Sequence, residues 1–388
     1  MGDGPGLRAG RVAAAGRRPR ARVHAGLRPV RRACYTAGVT STGEENMKMP
    51  LATAGLLPLV VLCLAMAGGC ASGSGGTHAP GAVRVNRVPY RGWEDALLMT
   101  NGDAVVVIVP QVARIMEYST AGGENLLWIK DELAPEVSGS PGTQGHTRQW
   151  ENFGGYKLWP APEKVWRNPP PWELDRGACR VEVSRDGVVT MIGLPCPDFG
   201  LRFDRQFTLA PAGSRLEVKQ TAVNISDKPI TASIWDVTQV RHDVDAFVPM
   251  GPGARYRMVD REPFRQQWTF VDGMMVLNTS GADGKAFFSG PPGWLGCRRG
   301  EEVYLKVFEI DPTLPPDPET PREVYTCKDY VELEVVGPAV ELQPGESTTL
   351  TEYWYLLPVP EPVNTNEDLV RVARELAEAV SDRRGSPR

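Results

Sequence analysis

The sequence predicts an all-β protein: one large antiparallel β-sandwich domain with long loops and a single C-terminal helix. Three observations point there. Glycine (41) and proline (35) make up about a fifth of the 388 residues, against ~12% ordinarily, so turns interrupt the chain too often for a helical bundle. Short strand-like runs recur between those turns. No strand–helix–strand alternation occurs, which excludes a parallel sheet with a nucleotide-binding crevice.

Taken in order, Ala104–Val109 (AVVVIV) is a strand-like run that stops at Pro110. Arg180–Ser184 and Val188–Leu194 flank Arg185-Asp186-Gly187, a hairpin with an Asp-Gly turn. Leu201–Leu209 and Leu216–Val223 alternate apolar and polar residues, the second halting at Asn224–Pro229. Ile230–Val240, Trp268–Val271, Met274–Leu277, Val303–Ile310, Tyr330–Val336 and Thr348–Leu356 continue the series. Only Asn366–Asp382 has helical spacing, with Leu369, Val372, Ala373, Leu376 and Val380 on one stripe and Asn366 as its cap. Three long loops remain, Asp131–Asp175, Pro249–Gln267 and Asp311–Thr326. The first carries Trp150, Trp159, Trp166 and Trp172, a composition unsuited to disorder, and reads as one wall of a site.

Charge divides the chain. Residues 1–46 hold nine Arg against three acids, whereas from Cys70 onward 44 acids face 33 Lys and Arg. An acidic body does not attract polyphosphate, so nucleic acid is excluded as a partner. Met47-Lys48-Met49 begins a second N-terminus, followed by the apolar run Leu51–Ala67 and by Ala67-Gly68-Gly69-Cys70. That is the layout of a cleaved secretory signal. Cys70 followed by Ala71–Gly76 resembles a bacterial lipoprotein lipobox and tether, which implies acylation at Cys70 and, with Ala71 next, an outer-membrane lipoprotein facing the periplasm. The expected organisation is an upstream mis-start (1–46), a lipoprotein signal (47–69), a tether (70–82), a β-sandwich (83–360) and a C-terminal helix and tail (361–388).

Four cysteines remain in the exported body: Cys179, Cys196, Cys297 and Cys327. In an oxidising compartment they permit two disulfides, and sequence proximity favours Cys179–Cys196 and Cys297–Cys327. Free buried thiols are the alternative. Without a C-x-x-C spacing zinc is disfavoured, and no cofactor is expected. No G-x-S-x-G, H-E-x-x-H, P-loop or G-x-G-x-x-G sequence occurs, so those nucleophile, zinc and phosphate chemistries lack local support.

Three segments could carry a site. Asn152–Glu163 combines paired glycines, Lys157, the flat indole of Trp159 and rigid prolines. Sugars offer CH faces to indoles and hydroxyls to charged or amide groups, and this loop supplies both surfaces; a proline-braced tryptophan anchoring the loop is the plainer alternative. Along Ile234–His242, Trp235, Val237 and Gln239 share one strand face, and Asp236, Thr238 and Val240 the other. In Tyr330–Glu334, Glu332 and Glu334 point the same way and could supply a general base.

The order of these segments resembles the galactose-mutarotase-like superfamily of large β-sandwiches, and is similar to a bacterial domain-of-unknown-function family within it. The matching stretches are Val107–Ser119, Glu124–Trp128, Gly154–Pro162, Gly200–Leu209, Leu216–Pro229, Ser233–Val240 and Tyr330–Pro338 with Pro344-Gly345-Glu346. The resemblance implies a supersandwich with a carbohydrate cleft across a concave sheet. Aldose mutarotases use a His acid and a Glu base. Glu332 lines up with the base, but Val237 stands where the acid is expected and Phe153 where a further His is. His242 or Lys157 would have to replace the acid. The expectation is therefore a lipid-anchored carbohydrate-recognition domain with Arg114, Lys157, Trp159, Asp236, Gln239 and Glu332 lining its cleft. The alternatives are an aldose 1-epimerase-like enzyme using Glu332, or a structural envelope protein without ligand.

Overall fold

A computed structural model describes residues 82–133, 150–166, 169–259, 262–309 and 321–385, with side chains to residue 381. The expected signal, Cys70 and the expected tether up to residue 81 lie outside the described residues.

Two ten-stranded sheets stack face to face. The first runs, edge to edge, Arg84–Tyr90, Trp93–Thr100, Ala104–Val109, Arg114–Thr120, Tyr156–Pro160, Ile234–Arg241, Tyr330–Val336, Arg322–Thr326, Gly284–Phe288 and Tyr256–Val259. The second runs Trp268–Val271, Met274–Asn278, Asp245–Pro249, Trp294–Arg299, Glu302–Phe308, Ser347–Pro358, Leu216–Asn224, Leu201–Leu209, Val189–Ile192 and Arg180–Val183. All their pairings are antiparallel, and a short ribbon, Ile230–Ala232 with Val340–Leu342, lies apart.

The expected all-β class holds; the strands Arg84–Tyr90, Trp93–Thr100, Arg114–Thr120, Asp245–Pro249, Gly284–Phe288 and Trp294–Arg299 add to the expected series, and further differences lie in the loops. Tyr156–Pro160, read as loop, is a central strand of the first sheet, buried along its whole length. Tyr256–Val259 and Arg322–Thr326 are likewise strands inside segments expected to be irregular. All three are only four or five residues long, so their period-2 signal is too brief to separate from a turn-rich loop.

Alternation sorts the side chains. Tyr156, Leu158, Ile234, Val240, Val331, Leu333, Val335 and Val324 fill the space between the sheets against Phe203, Phe207, Val218, Tyr304 and Trp354. A polar link crosses this core: Lys306 of the second sheet meets Asp236 of the first, donates to Thr238 Oγ1 (2.8 Å) and the Leu333 carbonyl (3.0 Å), and lies 3.6 Å from Glu352. The second sheet's outer face is covered by the helix Asn366–Gly385, whose Leu369, Val372, Ala373, Ala377 and Val380 pack on Phe247, Val276, Val303 and Leu305. Its cap is Thr365 rather than Asn366: Thr365 Oγ1 accepts from the Asp368 N–H while Asp368 accepts from the Thr365 N–H, a reciprocal capping box.

The expected disulfides are not formed; Cys179, Cys196, Cys297 and Cys327 are all free thiols. Cys297 is in the second sheet, opposite Ala246 and Tyr304, while Cys327 follows a first-sheet strand. Arg180 pairs with Ile192, so Cys179 falls opposite Gly193 and out of register with Cys196. Burial, with Glu173 beside it, pushes the Cys196 thiol up to about 12.

Candidate functional site

The first sheet's other face carries two rungs of polar side chains. One rung, set by strand register, is Lys157–Val237–Glu334–Glu323; the next is Gln239–Glu332–Tyr325. Lys157, Gln239, Glu323, Glu332 and Glu334 are all buried.

Paired glycines bring Lys157 here. Gly154 and Gly155 hold φ of +85° and +69°, which side-chain-bearing residues rarely adopt. A Cβ would stand 2.2 Å from the Trp128 carbonyl oxygen at Gly154, and 2.1 Å from that of Ile115 at Gly155. The Gly155 N–H donates to Trp128 and its carbonyl accepts from Gln239. The chain can thus enter the sheet between two neighbours only without side chains, and Lys157 emerges on the outer face opposite Val237.

The Lys157 ammonium lies 4.2 Å from the Trp159 ring centroid and 5.3 Å from that of Trp150, within cation–π range. It also donates to Asn152 Oδ1 (3.3 Å) and stands 3.8 Å from Glu332 Oε1. Glu332 Oε1 in turn accepts from Gln239 Nε2 at 2.8 Å. Gln239 Oε1, on the same amide, is buried with no hydrogen-bond partner. The Trp159 indole packs edge-on against Trp166 and Trp235, with ring centroids 5.6 and 5.4 Å away.

Of the six cleft residues expected from sequence, Lys157, Trp159, Gln239 and Glu332 share this face. Asp236 does not: its side chain points between the sheets to Lys306, as alternation against Gln239 requires. Burial, then Glu352 nearby, holds the Asp236 carboxyl well above the usual range despite Lys306. Arg114, beside Ile115 in the strand next to Tyr156, acts through Asp175, donating to its Oδ1 (2.9 Å). Asp175 also accepts from Trp159 Nε1 (2.8 Å) and Trp150 Nε1 (3.0 Å), so this pair fixes the two indoles that flank Lys157. Burial favours the neutral Asp175 acid, yet Arg114, Lys157 and the Trp159 N–H outweigh it and keep the carboxyl below the ordinary aspartate value. His242, the candidate acid, sits on the exposed turn after its strand, its carbonyl accepting from Thr279 Oγ1. Val237 and Phe153, aligned with the acid and further His of mutarotases, are buried apolar residues, Phe153 packing on Trp93.

Sequence reasoning paired Glu334 with Glu332 but missed Asp175 and the partners of Glu334, Lys285 and Glu323. Lys285 donates to Glu334 Oε2 (2.8 Å), contacts Glu323, and lies 4.4 Å from the Trp235 ring centroid. Burial, with Glu334 adding to it against Lys285, raises the Glu323 carboxyl well above its usual value. Among the described residues no three His, Cys, Asp or Glu side chains are placed to hold a metal ion. The arrangement offers indole surfaces, a cation, an ordered carboxylate and an unused amide acceptor.

A family model described as a domain of unknown function (DUF4380) matches residues 96–357. No curated protein sequence matches the chain. Among solved structures, a TPR-domain containing protein from Parabacteroides distasonis is 14% identical with a TM-score of 0.48, over 69% of this chain and 48% of that one, so the likeness spans about half of that protein. A galactose mutarotase-like protein from Lactobacillus casei is 12% identical with a TM-score of 0.46, over 68% of this chain and 100% of the other. Another from Clostridium acetobutylicum is 10% identical with a TM-score of 0.46, over 71% and 99%.

Proposed function

Proceeding from the premise that the chain belongs to the domain-of-unknown-function family DUF4380, we propose that it recognises carbohydrate on the outer face of its first sheet, as a binding protein rather than a catalyst. The observation that carries this reading is the Gln239 amide. Its Nε2 orders Glu332 while its Oε1 has no partner although buried. Such an acceptor costs ~1–3 kcal/mol, and a ligand hydroxyl donating to it would recover that cost. The indoles of Trp159 and Trp150 supply apolar surface for a sugar's CH face. Apolar Val237 and Phe153, at the positions aligned with histidines, argue against ring-opening chemistry by the usual acid. The lipobox-like sequence at Cys70 supports attachment to a bacterial outer membrane, with the domain facing the periplasm.

Thermal unfolding across a panel of hexoses, pentoses and uronic acids tests the proposal. A sugar at 100 times its Kd stabilises the protein by about 2.7 kcal/mol. That shift should vanish in Gln239→Leu. A panel in which no sugar moves the transition contradicts the reading.

A further inference from the structure

Beside the buried Glu332 site, at the open end of the same strands, lies a cavity of about 630 Å³, within the range of small-molecule sites. We propose that this cavity is a second sugar subsite, so that the ligand is an uncharged oligosaccharide with one unit at Glu332 and the next on Trp128. The inference rests on the recognition reading above and extends it to chain length.

Two observations carry it. The first is placement. Leu127 bridges Val240, and the Trp128 N–H donates to the Gln239 carbonyl, so this segment continues the sheet beyond Gly155. Leu127 faces the inter-sheet core, which leaves the alternate residue, Trp128, on the site face. There its ring packs against Tyr330, tilted by 42° with 4.6 Å between centroids, and Tyr330 in turn lies 6.1 Å from Tyr325, the register partner of Glu332. Tyr330 and Glu332 are two residues apart on one strand, an advance of about 7 Å. An aromatic path therefore leads from the half-exposed Trp128 to the buried carboxylate in one step on the scale of a pyranose unit.

The second observation is charge. Arg91, Arg241 and Lys328 line the cavity with Glu124, Asp131 and Asp329, and Arg91 already pairs with Asp131 and Lys328 with Asp329. Three cations balanced by three carboxylates favour neither an anionic nor a cationic ligand, while supplying donors and acceptors around an aromatic platform. A neutral glycan matches that lining.

Isothermal titration of the full chain with glucose, galactose, and the malto-, cello- and β-galacto-oligosaccharides of two to four units tests the inference. The oligosaccharide of the preferred sugar should bind at least tenfold tighter than its monosaccharide. Trp128→Ala should return it to the monosaccharide's affinity, and Arg91→Gly, on an exposed turn that already holds φ of +47°, should remove part of the gain without touching the core. Equal affinities for both lengths, or variants that weaken both lengths by one factor, overturn the subsite while leaving monosaccharide recognition standing. Failure of every probe to bind overturns both.

Discussion

Asp175 is where charge, aromatic geometry and the site meet. One buried carboxylate accepts from the Arg114 guanidinium and from the indole N–H groups of Trp159 and the partly buried Trp150. Removing one partner of a buried ion pair leaves the other charge uncompensated. Asp175→Asn should therefore lower unfolding free energy by about 3–5 kcal/mol in urea, and should loosen the indoles beside Lys157. The pH dependence has a definite sign. The folded carboxyl titrates below the ordinary aspartate value, near ~3.9 when unfolded. Its contribution is complete above that value and is lost as pH falls through the folded value. The urea midpoint of the wild type should drop across this acid window more steeply than that of Asp175→Asn; parallel curves would count against the assignment. The four cysteines give a second residue-scale expectation. Alkylation after unfolding without reductant should label the peptides carrying Cys179, Cys196, Cys297 and Cys327, whereas two disulfides would leave them unlabelled.

Among the elements, the strand Tyr156–Pro160 shows what the sequence could reveal and what it could not. Its paired glycines, cation and indole marked it in the sequence as a candidate site segment. Its strand character was hidden: five residues between Gly155 and Ala161-Pro162 carry too little period to register. Ile234–Arg241 shows a different limit. Alternation alone separates Gln239 from Asp236, but nearly every residue of this strand is buried, so hydrophobicity could not say which face looked outward. The second sheet settles it, because Lys306 lies across from Asp236. Asp175 was illegible because its ion-pair partner Arg114 lies 61 residues away, and Trp159 and Trp150, 16 and 25 residues away, reach it with no periodic spacing to mark the contact. Gly155→Ala tests the account of how the strand enters the sheet. With φ at +69° and the Ile115 carbonyl oxygen 2.1 Å from a Cβ, the variant should lose more than about 2 kcal/mol. An unchanged melting temperature would mean the glycine pair is dispensable.

For the whole molecule, the two sheets divide their labour. The second is covered on its outer face by the C-terminal helix, and both sheets meet in a core crossed by the Asp236–Lys306–Glu352 link. The first presents its polar rungs on the face turned away from that core. The same division shows at Val237, which clusters with Trp159, Trp166 and Trp235 on that face and takes no part in inter-sheet packing. If the chain is anchored through Cys70, Cys70→Ser should move it from the membrane to the soluble fraction of expressing cells; equal retention of both forms would exclude the anchor.

The central claim, recognition without catalysis, is tested most directly at Glu332. NMR exchange spectroscopy on the sugar that stabilises the wild type, paired with titration of the same sugar, reads both properties at once. Glu332→Gln should weaken binding by roughly 1.5–3 kcal/mol, the scale of one hydrogen bond to a charged group, while anomer exchange stays at its spontaneous rate in both proteins. Rapid anomer exchange by the wild type that disappears in Glu332→Gln would contradict the account and make Glu332 a catalytic base.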